Sequence, residues 1–272
     1  MRTQTGVEEH VTGGTLDSLA FAGEVGRGEP WHASGLEGRR YATLAPELAA
    51  CAARWLATLA VPEGTALKPP DVHRVGALVV KFFTQPSLLG WLRPPRAVRS
   101  AERYFWCLPL RSPRPLLAAG RRFGARSLLV REHVEGTLFS DLWSSAGPEH
   151  AAEEALVAFL ADMERHGVVH GDLHPKNLLW SGTEWVLLDV DGLRHGLHDP
   201  ARVLAGQWAR FVLHLCDEER VRSLHARTSA CLGHRARVPW EVVQRRVEVL
   251  RRQRAHTGDS SRGRARTDEE GP

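Results

Sequence analysis

The chain has 272 residues, of which 43% are hydrophobic and 25% are charged, with a formal net charge of +4 at pH 7. This length suits one two-lobed domain or two small ones, and the composition excludes a disordered or fibrous chain. No stretch reaches the roughly 18 consecutive apolar residues of a membrane-spanning helix. Residues 1–14 lack the charged-then-apolar pattern of a secretory signal. We therefore expect a cytoplasmic protein.

Apolar patterning divides the chain into four predicted segments. Residues 1–35 hold scattered glycines and few apolar runs, so we assign them no structure. Residues 36–134 carry the first strands and form an N-lobe, whereas residues 135–255 are mostly helical and form a C-lobe. Residues 256–272 are rich in glycine, serine and charged residues, which predicts a disordered tail. The fold class predicted by this order is α+β, with a small mixed N-lobe and a mainly helical C-lobe.

Strands alternate with helices in the predicted N-lobe. Residues 48–61 are alanine-rich and predict a buried helix, and residues 76–83 form an apolar, β-branched and aromatic run that predicts a strand. After the proline pair at 94–95, apolar residues at helical spacing predict a helix that reaches Phe105. Residues 127–134 predict the next strand.

Helices dominate the predicted C-lobe. Pro148 opens an amphipathic helix with one apolar stripe, and Gly167 stands at the usual stop position. Residues 178–188 predict a β-hairpin across a Ser-Gly-Thr turn. The Asp-Pro pair at 199–200 is typical of a helix start, because Asp caps free amides and Pro tolerates the first turn. The remainder is predicted to be helical to about residue 253.

The loop between the amphipathic helix and the hairpin carries residues suited to phosphoryl transfer. Asp172 is a carboxylate that can orient an incoming hydroxyl. Asn177 and Asp189 offer the hard oxygen ligands that Mg²⁺ prefers. His174 and Lys176 flank the same loop and can meet the transferring phosphate. The pattern indicates a phosphotransferase, while any one of these residues alone would be explained by a capped loop.

Two further charged residues lie on elements predicted to be buried. Lys81 is inside the apolar strand, where an unpaired ammonium group is costly. Glu102 falls on the apolar stripe of the helix that follows. Opposite charges buried on neighbouring elements are most simply each other's partners, so we expect a Lys81–Glu102 ion pair.

Three segments resemble those of a known superfamily. The sequence His-Gly-Asp-Leu-His-Pro-Lys-Asn at residues 170–177 resembles the catalytic loop of protein-kinase-like enzymes, in the form typical of small-molecule and lipopolysaccharide kinases. Residues 188–192, Leu-Asp-Val-Asp-Gly, resemble their metal-binding segment, and residues 130–136 resemble the hinge between kinase lobes. Over residues 64–215 the resemblance is closest to the Kdo/WaaP lipopolysaccharide kinase family.

This resemblance implies a two-lobed protein-kinase-like fold and an ATP-dependent phosphotransferase that uses Mg²⁺. Asp172 would be the catalytic base, with His174 and Lys176 beside it. Asn177 and Asp189 would be the metal ligands.

The resemblance also implies an ATP site. Lys81, fixed by Glu102, would contact the nucleotide phosphates, and the backbone of Glu132 and Val134 would hold the adenine. The glycine-rich loop that covers the phosphates in kinases is reduced here to one glycine, Gly64.

The acceptor follows from the resemblance alone. A hydroxyl of a lipopolysaccharide inner-core sugar is the leading candidate, and a protein serine or threonine or a small aminoglycoside-like molecule is the alternative. Arginine clusters lie at residues 93–103, 121–126 and 245–254. Such clusters suit anionic partners such as phosphorylated glycans, acidic lipid surfaces or nucleic acid, and they also occur as solvated faces without a partner. We expect peripheral contact with the inner membrane surface, and we expect no nucleic-acid partner.

Two other interpretations stay open. His and Asp residues between positions 170 and 198 would form a binuclear metallohydrolase site, although that leaves Lys81, Glu102 and Asn177 without a role. A pseudokinase that binds a partner without transferring phosphate would fit the sparse glycines around Gly64.

Overall fold

The chain forms two compact units. A computed structural model describes residues 28–33, 36–41, 46–62, 64–68, 71–84, 94–107, 110–121, 125–144, 150–194, 200–233 and 238–266. The first unit comprises Met1–Phe105 and Pro113–Glu135, and the second comprises Trp106–Ser112 and Gly136–Pro272. Residues 106–112 thus belong to the second unit, although the sequence pattern assigned them to the N-lobe.

The first unit is built on a seven-stranded antiparallel sheet. Its elements are β1 (Glu29–Ala33), β2 (Leu36–Arg40), α1 (Pro46–Thr58), β3 (Thr65–Lys68), β4 (Val72–Val75), β5 (Leu78–Thr84), α2 (Arg96–Arg103), β6 (Pro115–Arg121) and β7 (Arg126–Glu132). The strand order is β1-β2-β6-β7-β5-β4-β3.

Helices cover both faces of this sheet. Successive side chains of a strand point to opposite faces. Accordingly, Phe82 on β5 packs in a cluster with Trp55 of α1, whereas Phe83 packs in a second cluster with Val98 of α2. Burial on both faces explains why β5 is apolar along most of its length. Lys81 shares the Phe83 face.

The second unit is mainly helical. Its elements are β8 (Thr137–Leu138), α3 (Phe139–Ser144), α4 (His150–Arg165), β9 (Val169–His170), β10 (Leu178–Trp180), β11 (Trp185–Leu187), β12 (Leu193–Arg194), α5 (Pro200–Leu215), α6 (Glu218–Leu232) and α7 (Trp240–Arg266). Strands β11, β10 and β8 form one small sheet, and β12 pairs with β9. The α+β fold class is confirmed, with a mixed first unit and a mainly helical second unit.

The end of α4 places β9 and the loop that follows it. Gly167 has a φ of 67°, which an L side chain rarely adopts. The Gly167 N–H donates to the Glu164 carbonyl at 3.1 Å and the Val168 N–H to the Met163 carbonyl at 2.8 Å. These two bonds make a Schellman motif, which confirms the predicted helix stop. The chain reverses here and enters β9 with Val168 buried.

Two regions differ from the sequence-based expectation. Hairpin β1–β2 begins inside residues 1–35, to which no structure was assigned. Helix α7 continues to Arg266, through part of the predicted disordered tail, because extending a packed helix costs less than starting one. Within the described ranges, no helix combines the length and apolarity needed to cross a membrane.

Candidate active site

The loop after β9 has a fixed backbone and exposed functional groups. Leu173 and Pro175 are buried, whereas the side chain of Asp172 is 70% exposed. A single turn of 3₁₀ helix begins at Pro175, and the Nδ1 atom of His174 accepts a hydrogen bond from the Lys176 N–H at 3.3 Å. The loop therefore presents Asp172 and Lys176 to solvent from an anchored turn.

His170 connects the candidate base to the candidate metal ligand. The residue is 1% exposed, its Nδ1 accepts from the Asp172 N–H at 3.1 Å, and its Nε2 lies 2.5 Å from the Asp189 carbonyl oxygen. Because Nδ1 accepts, the proton of the neutral ring lies on Nε2, which donates to Asp189. Burial is the main cause that lowers the pKa of His170, and the Asp189 carbonyl opposes it. A neutral ring thus ties the two backbones together.

Gly192 lies against the His170 ring. A Cβ on Gly192 would stand 2.3 Å from His170 Cε1, so a side chain at this position would force the backbone or the ring to move. The Gly171 N–H also donates to the Gly192 carbonyl at 2.7 Å. The last residue of the Leu-Asp-Val-Asp-Gly segment is therefore a glycine because of close approach.

Asn177 and Asp189 are brought together by the β10–β11 hairpin. The Leu188 N–H donates to the Asn177 carbonyl at 2.8 Å. The Asn177 Nδ2 amide donates to the Asp172 carbonyl at 3.1 Å, and Asp189 Oδ1 accepts from the Asp191 N–H at 3.0 Å. Since the Asn177 amide nitrogen is engaged, its oxygen is the atom that can coordinate a metal. Asn177 and Asp189 supply only hard oxygen ligands, which fits Mg²⁺.

Arg210, on α5, is a site residue that the sequence pattern did not identify. Its Nε lies 3.5 Å from Asp172 Oδ1, and its side chain is 25% exposed. Burial lowers the pKa of Arg210, Asp172 raises it, and Arg246 and Arg254 on α7 lower it. The available signal was a lone charge inside the buried apolar run at 208–212.

His174 has an aromatic partner that sequence spacing does not reveal. The His174 ring stacks on the ring of His214 from α5, with centroids 5.1 Å apart. Burial is the main cause that lowers the pKa of His214, followed by His174 and Arg254. The surroundings of Asp172 are therefore rich in cationic and imidazole groups.

In the first unit, Glu102 pairs with Arg39. Lys81 is half-buried on β5, with its Nζ 5.0 Å from the centroid of the Phe83 ring. Glu102 lies near the end of α2, with its Oε1 3.5 Å from Arg39 Nε and its side chain 42% exposed. The expectation of a buried Lys81–Glu102 pair is therefore wrong, because the partly exposed Glu102 carboxylate pairs with Arg39. Arg39 reaches Glu102 because it lies opposite Ala118, which packs with α2.

The predicted hinge, residues 130–136, begins in the last three residues of β7. The Glu132 N–H donates to the Arg114 carbonyl at 3.0 Å, and the His133 N–H donates to the Ala77 carbonyl at 2.8 Å. For the Val134 N–H, no hydrogen bond to another described residue is found. The buried Glu132 carboxylate lies 2.6 Å from Arg114 Nε. The sheet thus binds Glu132 firmly, and Val134 presents a backbone donor.

Gly64 directly precedes β3. Its N–H donates to the Val61 carbonyl at 2.9 Å, and a Cβ would lie 2.8 Å from Val61 Cγ1. Close packing against Val61 thus accounts for this glycine. Residues 69–70, between β3 and β4 in the sequence, lie outside the described ranges.

The metallohydrolase interpretation requires His and Asp side chains that are grouped closely enough to hold metal ions. In the described portion of the chain, no group of three or more His, Cys, Asp or Glu side chains is placed to hold a metal ion. His195 and His198, on which that interpretation also drew, lie outside the described residues.

Comparisons with known proteins give partial likenesses. No protein-family model matches the sequence, and no curated protein matches it. Membership of the Kdo/WaaP family therefore stays a prediction.

Among solved structures, the chain is similar to the bifunctional kinase-methyltransferase WbdD, at 18% identity and a TM-score of 0.46, over 65% of this chain and 47% of that one. A co-crystal structure of WbdD with the kinase inhibitor LY294002 gives 21% identity and a TM-score of 0.41, over 65% of this chain and 42% of that one. The chain thus spans less than half the length of these structures, and its function has to be inferred from its own residues.

Proposed function

We propose that this chain is an ATP-dependent phosphotransferase in which Asp172 is the catalytic base. The observation that carries the proposal is the link that His170 makes between the Asp172 N–H and the Asp189 carbonyl. Asn177 joins the same set, since its side chain donates to Asp172 and its carbonyl accepts from Leu188. A carboxylate and two oxygen ligands held by shared bonds are the parts that phosphoryl transfer requires.

Asp172 would act on the acceptor. Its carboxylate would take the proton of an acceptor hydroxyl while that oxygen bonds to the γ-phosphorus of ATP and ADP leaves. The exposed side chain is open to such an acceptor, and Arg210 at 3.5 Å orients it. Lys176 and His174 flank the loop and would contact the transferred phosphate.

Asn177 and Asp189 would hold Mg²⁺, which, when bound, offsets the negative charge of the phosphates. Their oxygen-only donor set supports this assignment. The Asn177–Asp172 hydrogen bond would keep the metal ligand and the base in a fixed relation.

Residues of the first unit would bind the nucleotide. The proposal assigns Lys81 to the phosphates and the Val134 N–H to the adenine, because Val134 presents a backbone donor while the N–H groups of Glu132 and His133 donate to the carbonyls of Arg114 and Ala77. Glu102 and Gly64 have the structural contacts described above, and the proposal needs neither of them.

For the acceptor, we propose a sugar hydroxyl of the lipopolysaccharide inner core. The resemblance of residues 170–177 and 188–192 to Kdo/WaaP kinases supports this choice. The arginine-rich stretches at residues 93–103, 121–126 and 245–254 would allow peripheral contact with the inner membrane surface from the cytoplasmic side. A protein hydroxyl and an aminoglycoside-like acceptor are the alternatives.

The test compares Asp172→Asn with Asp189→Asn. Labelled ATP is incubated with glycan, protein and small-molecule acceptors in turn, and Mg-ATP affinity is measured separately. Asp172→Asn should lower transfer by about two to four orders of magnitude with little change in ATP affinity, because the base contacts the acceptor. Asp189→Asn should weaken Mg-ATP binding as well, because a metal ligand acts in both states.

The matched control is Asp162→Asn on α4, whose carboxylate belongs to a partly exposed ion pair with Arg165. Such a pair contributes little, so this variant should transfer phosphate at the parent rate. Transfer at the parent rate by Asp172→Asn would exclude Asp172 as the base.

A further inference from the structure

Three arginines of the second unit act on one another near Asp172, and one of them, Arg210, contacts its carboxylate at 3.5 Å. We call Arg210 of α5 together with Arg246 and Arg254 of α7 the arginine cluster. Arg210 and Arg246 approach each other over Gly206, where a Cβ would lie 3.5 Å from Arg210 Nη1 and 3.9 Å from Arg246 Nε. Arg254 acts electrostatically on Arg210 and on His214.

The arginine cluster holds more positive charge than Asp172 neutralises. Among the described residues, Asp172 is the acidic group that acts on Arg210, at 3.5 Å, whereas Arg246 and Arg254 act on it as like charges. The guanidinium groups of Arg210 and Arg246 carry two positive charges, and the Asp172 carboxylate carries one negative charge. One positive charge is therefore left over even without Arg254. A surface of this kind attracts anions.

Arg246 has an unused donor in this cluster. Its Nε atom is buried and has no hydrogen-bond partner in the described part of the chain. A buried donor without an acceptor is unfavourable, and an oxyanion would supply the acceptor. Guanidinium groups bind phosphate and carboxylate through paired hydrogen bonds, which makes either group a suitable ligand.

A groove beside Arg246 has room for the part of the ligand that extends beyond its anionic group. It measures about 310 Å³ and lies between α5 and α7, with Arg202, Arg245 and Arg246 along its wall and Ala201, Ala205 and Val242 on its apolar part. This volume is at the lower end of the range of about 300–1,000 Å³ for small-molecule sites. Arg246 belongs to both the groove and the arginine cluster.

We propose that the arginine cluster binds a phosphate or carboxylate carried by the acceptor, close to the hydroxyl that is phosphorylated. This proposal rests on the proposed function, with Asp172 as the base. The acceptor is then an acidic glycan, part of which lies in the groove. A polyamine sugar of the aminoglycoside type is disfavoured, because its ammonium groups would meet Arg210, Arg246 and Arg254.

The experiment measures sugar binding without nucleotide or metal. Glucose 6-phosphate, glucuronate and glucose are titrated into the full chain, with ligand-detected NMR or calorimetry as the readout, at low and high ionic strength. Glucose 6-phosphate should bind at least about tenfold more tightly than glucose and should weaken as salt rises. The glucuronate arm identifies whether carboxylate serves as well as phosphate.

Two variants and one control determine where on the chain glucose 6-phosphate binds. Arg246→Gln and Arg254→Gln should each weaken glucose 6-phosphate binding by about tenfold, the effect of losing one charge-assisted bond. Arg252→Gln, on an exposed turn of the same helix, removes the same charge and should bind like the parent. Thermal unfolding verifies that Arg246→Gln is folded, and exposed Arg254 provides the second variant.

Equal affinities of Arg246→Gln, Arg254→Gln and Arg252→Gln for glucose 6-phosphate would overturn the proposal, as would equal binding of glucose and glucose 6-phosphate by the parent. Because these titrations contain no ATP, such a failure leaves the phosphotransferase proposal intact. Conversely, the loss of transfer in Asp172→Asn is measured independently of anion binding.

Discussion

The most informative single change is His170→Leu. The ring of His170 joins the Asp172 N–H to the Asp189 carbonyl, and the residue is 1% exposed. Leucine fills a similar space without a donor or an acceptor. The variant therefore removes both hydrogen bonds at once while the site stays apolar and filled.

The expected loss of unfolding free energy combines the costs at the two hydrogen-bond partners of His170 with the gain from burying leucine. Loss of a hydrogen bond to a polar group that is screened from water costs about 1–3 kcal/mol, and the bond from His170 to the Asp189 carbonyl is partly buried. The Asp172 N–H lies near an exposed loop where water can replace the ring, so its cost is about 1 kcal/mol. Burying leucine in place of imidazole returns about 1 kcal/mol. The net loss of unfolding free energy is about 2 kcal/mol, or about 4–8 °C in midpoint for a unit of this size.

Urea and thermal unfolding followed by tryptophan fluorescence measure this loss, because Trp185 and Trp208 are buried in the second unit. His166→Leu is the matched control, since His166 is exposed at the end of α4 and should shift the midpoint by less than about 0.5 kcal/mol. Under the proposed function, phosphate transfer should also fall in His170→Leu, because Asp172, the proposed base, and Asp189, the proposed metal ligand, lose the ring that joins their backbones. An unfolding free energy within about 0.5 kcal/mol of the parent would refute the linking role of His170.

Two further predictions concern stability. Burial lowers the pKa of both His170 and His225 in the folded chain, so the unfolded state takes up protons first. Stability should be full above the ordinary histidine pKa and fall as pH drops below it, with a shallower fall in His225→Asn; a thermal midpoint that is flat or rises from pH 7.5 to 5.5 would contradict this. Arg114→Met should destabilise the chain by about 2–4 kcal/mol in urea unfolding, because it removes the guanidinium that lies 2.6 Å from the buried Glu132 carboxylate, and adding Glu132→Met should recover most of the loss. Arg40→Met breaks an exposed pair and should cost less than about 1 kcal/mol; equal losses at both positions would argue against the burial effect.

Local sequence patterns predicted helices and strands and the candidate site residues in the loop from Asp172 to Asn177. The helix stop at Gly167 and the hairpin at 178–188 depend on neighbours in sequence, which is why their signals could be interpreted directly. The same holds for the loop from Asp172 to Asn177, whose spacing fits one short turn.

Residues that act through distant contacts escaped prediction. Arg39 reaches Glu102 only because β2 pairs with β6 beneath α2, and nothing in the β2 sequence marks that contact. Arg210 meets Asp172 through the packing of α5 against the loop. A lone charge in an apolar helix indicates that a partner exists but does not identify it.

The packing of Gly192 against the His170 ring ties the evolution of these two positions together. A Cβ at 192 would stand 2.3 Å from His170 Cε1, so a larger residue there requires that the backbone or the imidazole moves, or that the imidazole is replaced by a smaller group. Replacement of the imidazole, in turn, would release the Asp172 and Asp189 backbones. Among related sequences, a change at 192 should therefore occur together with a change at 170.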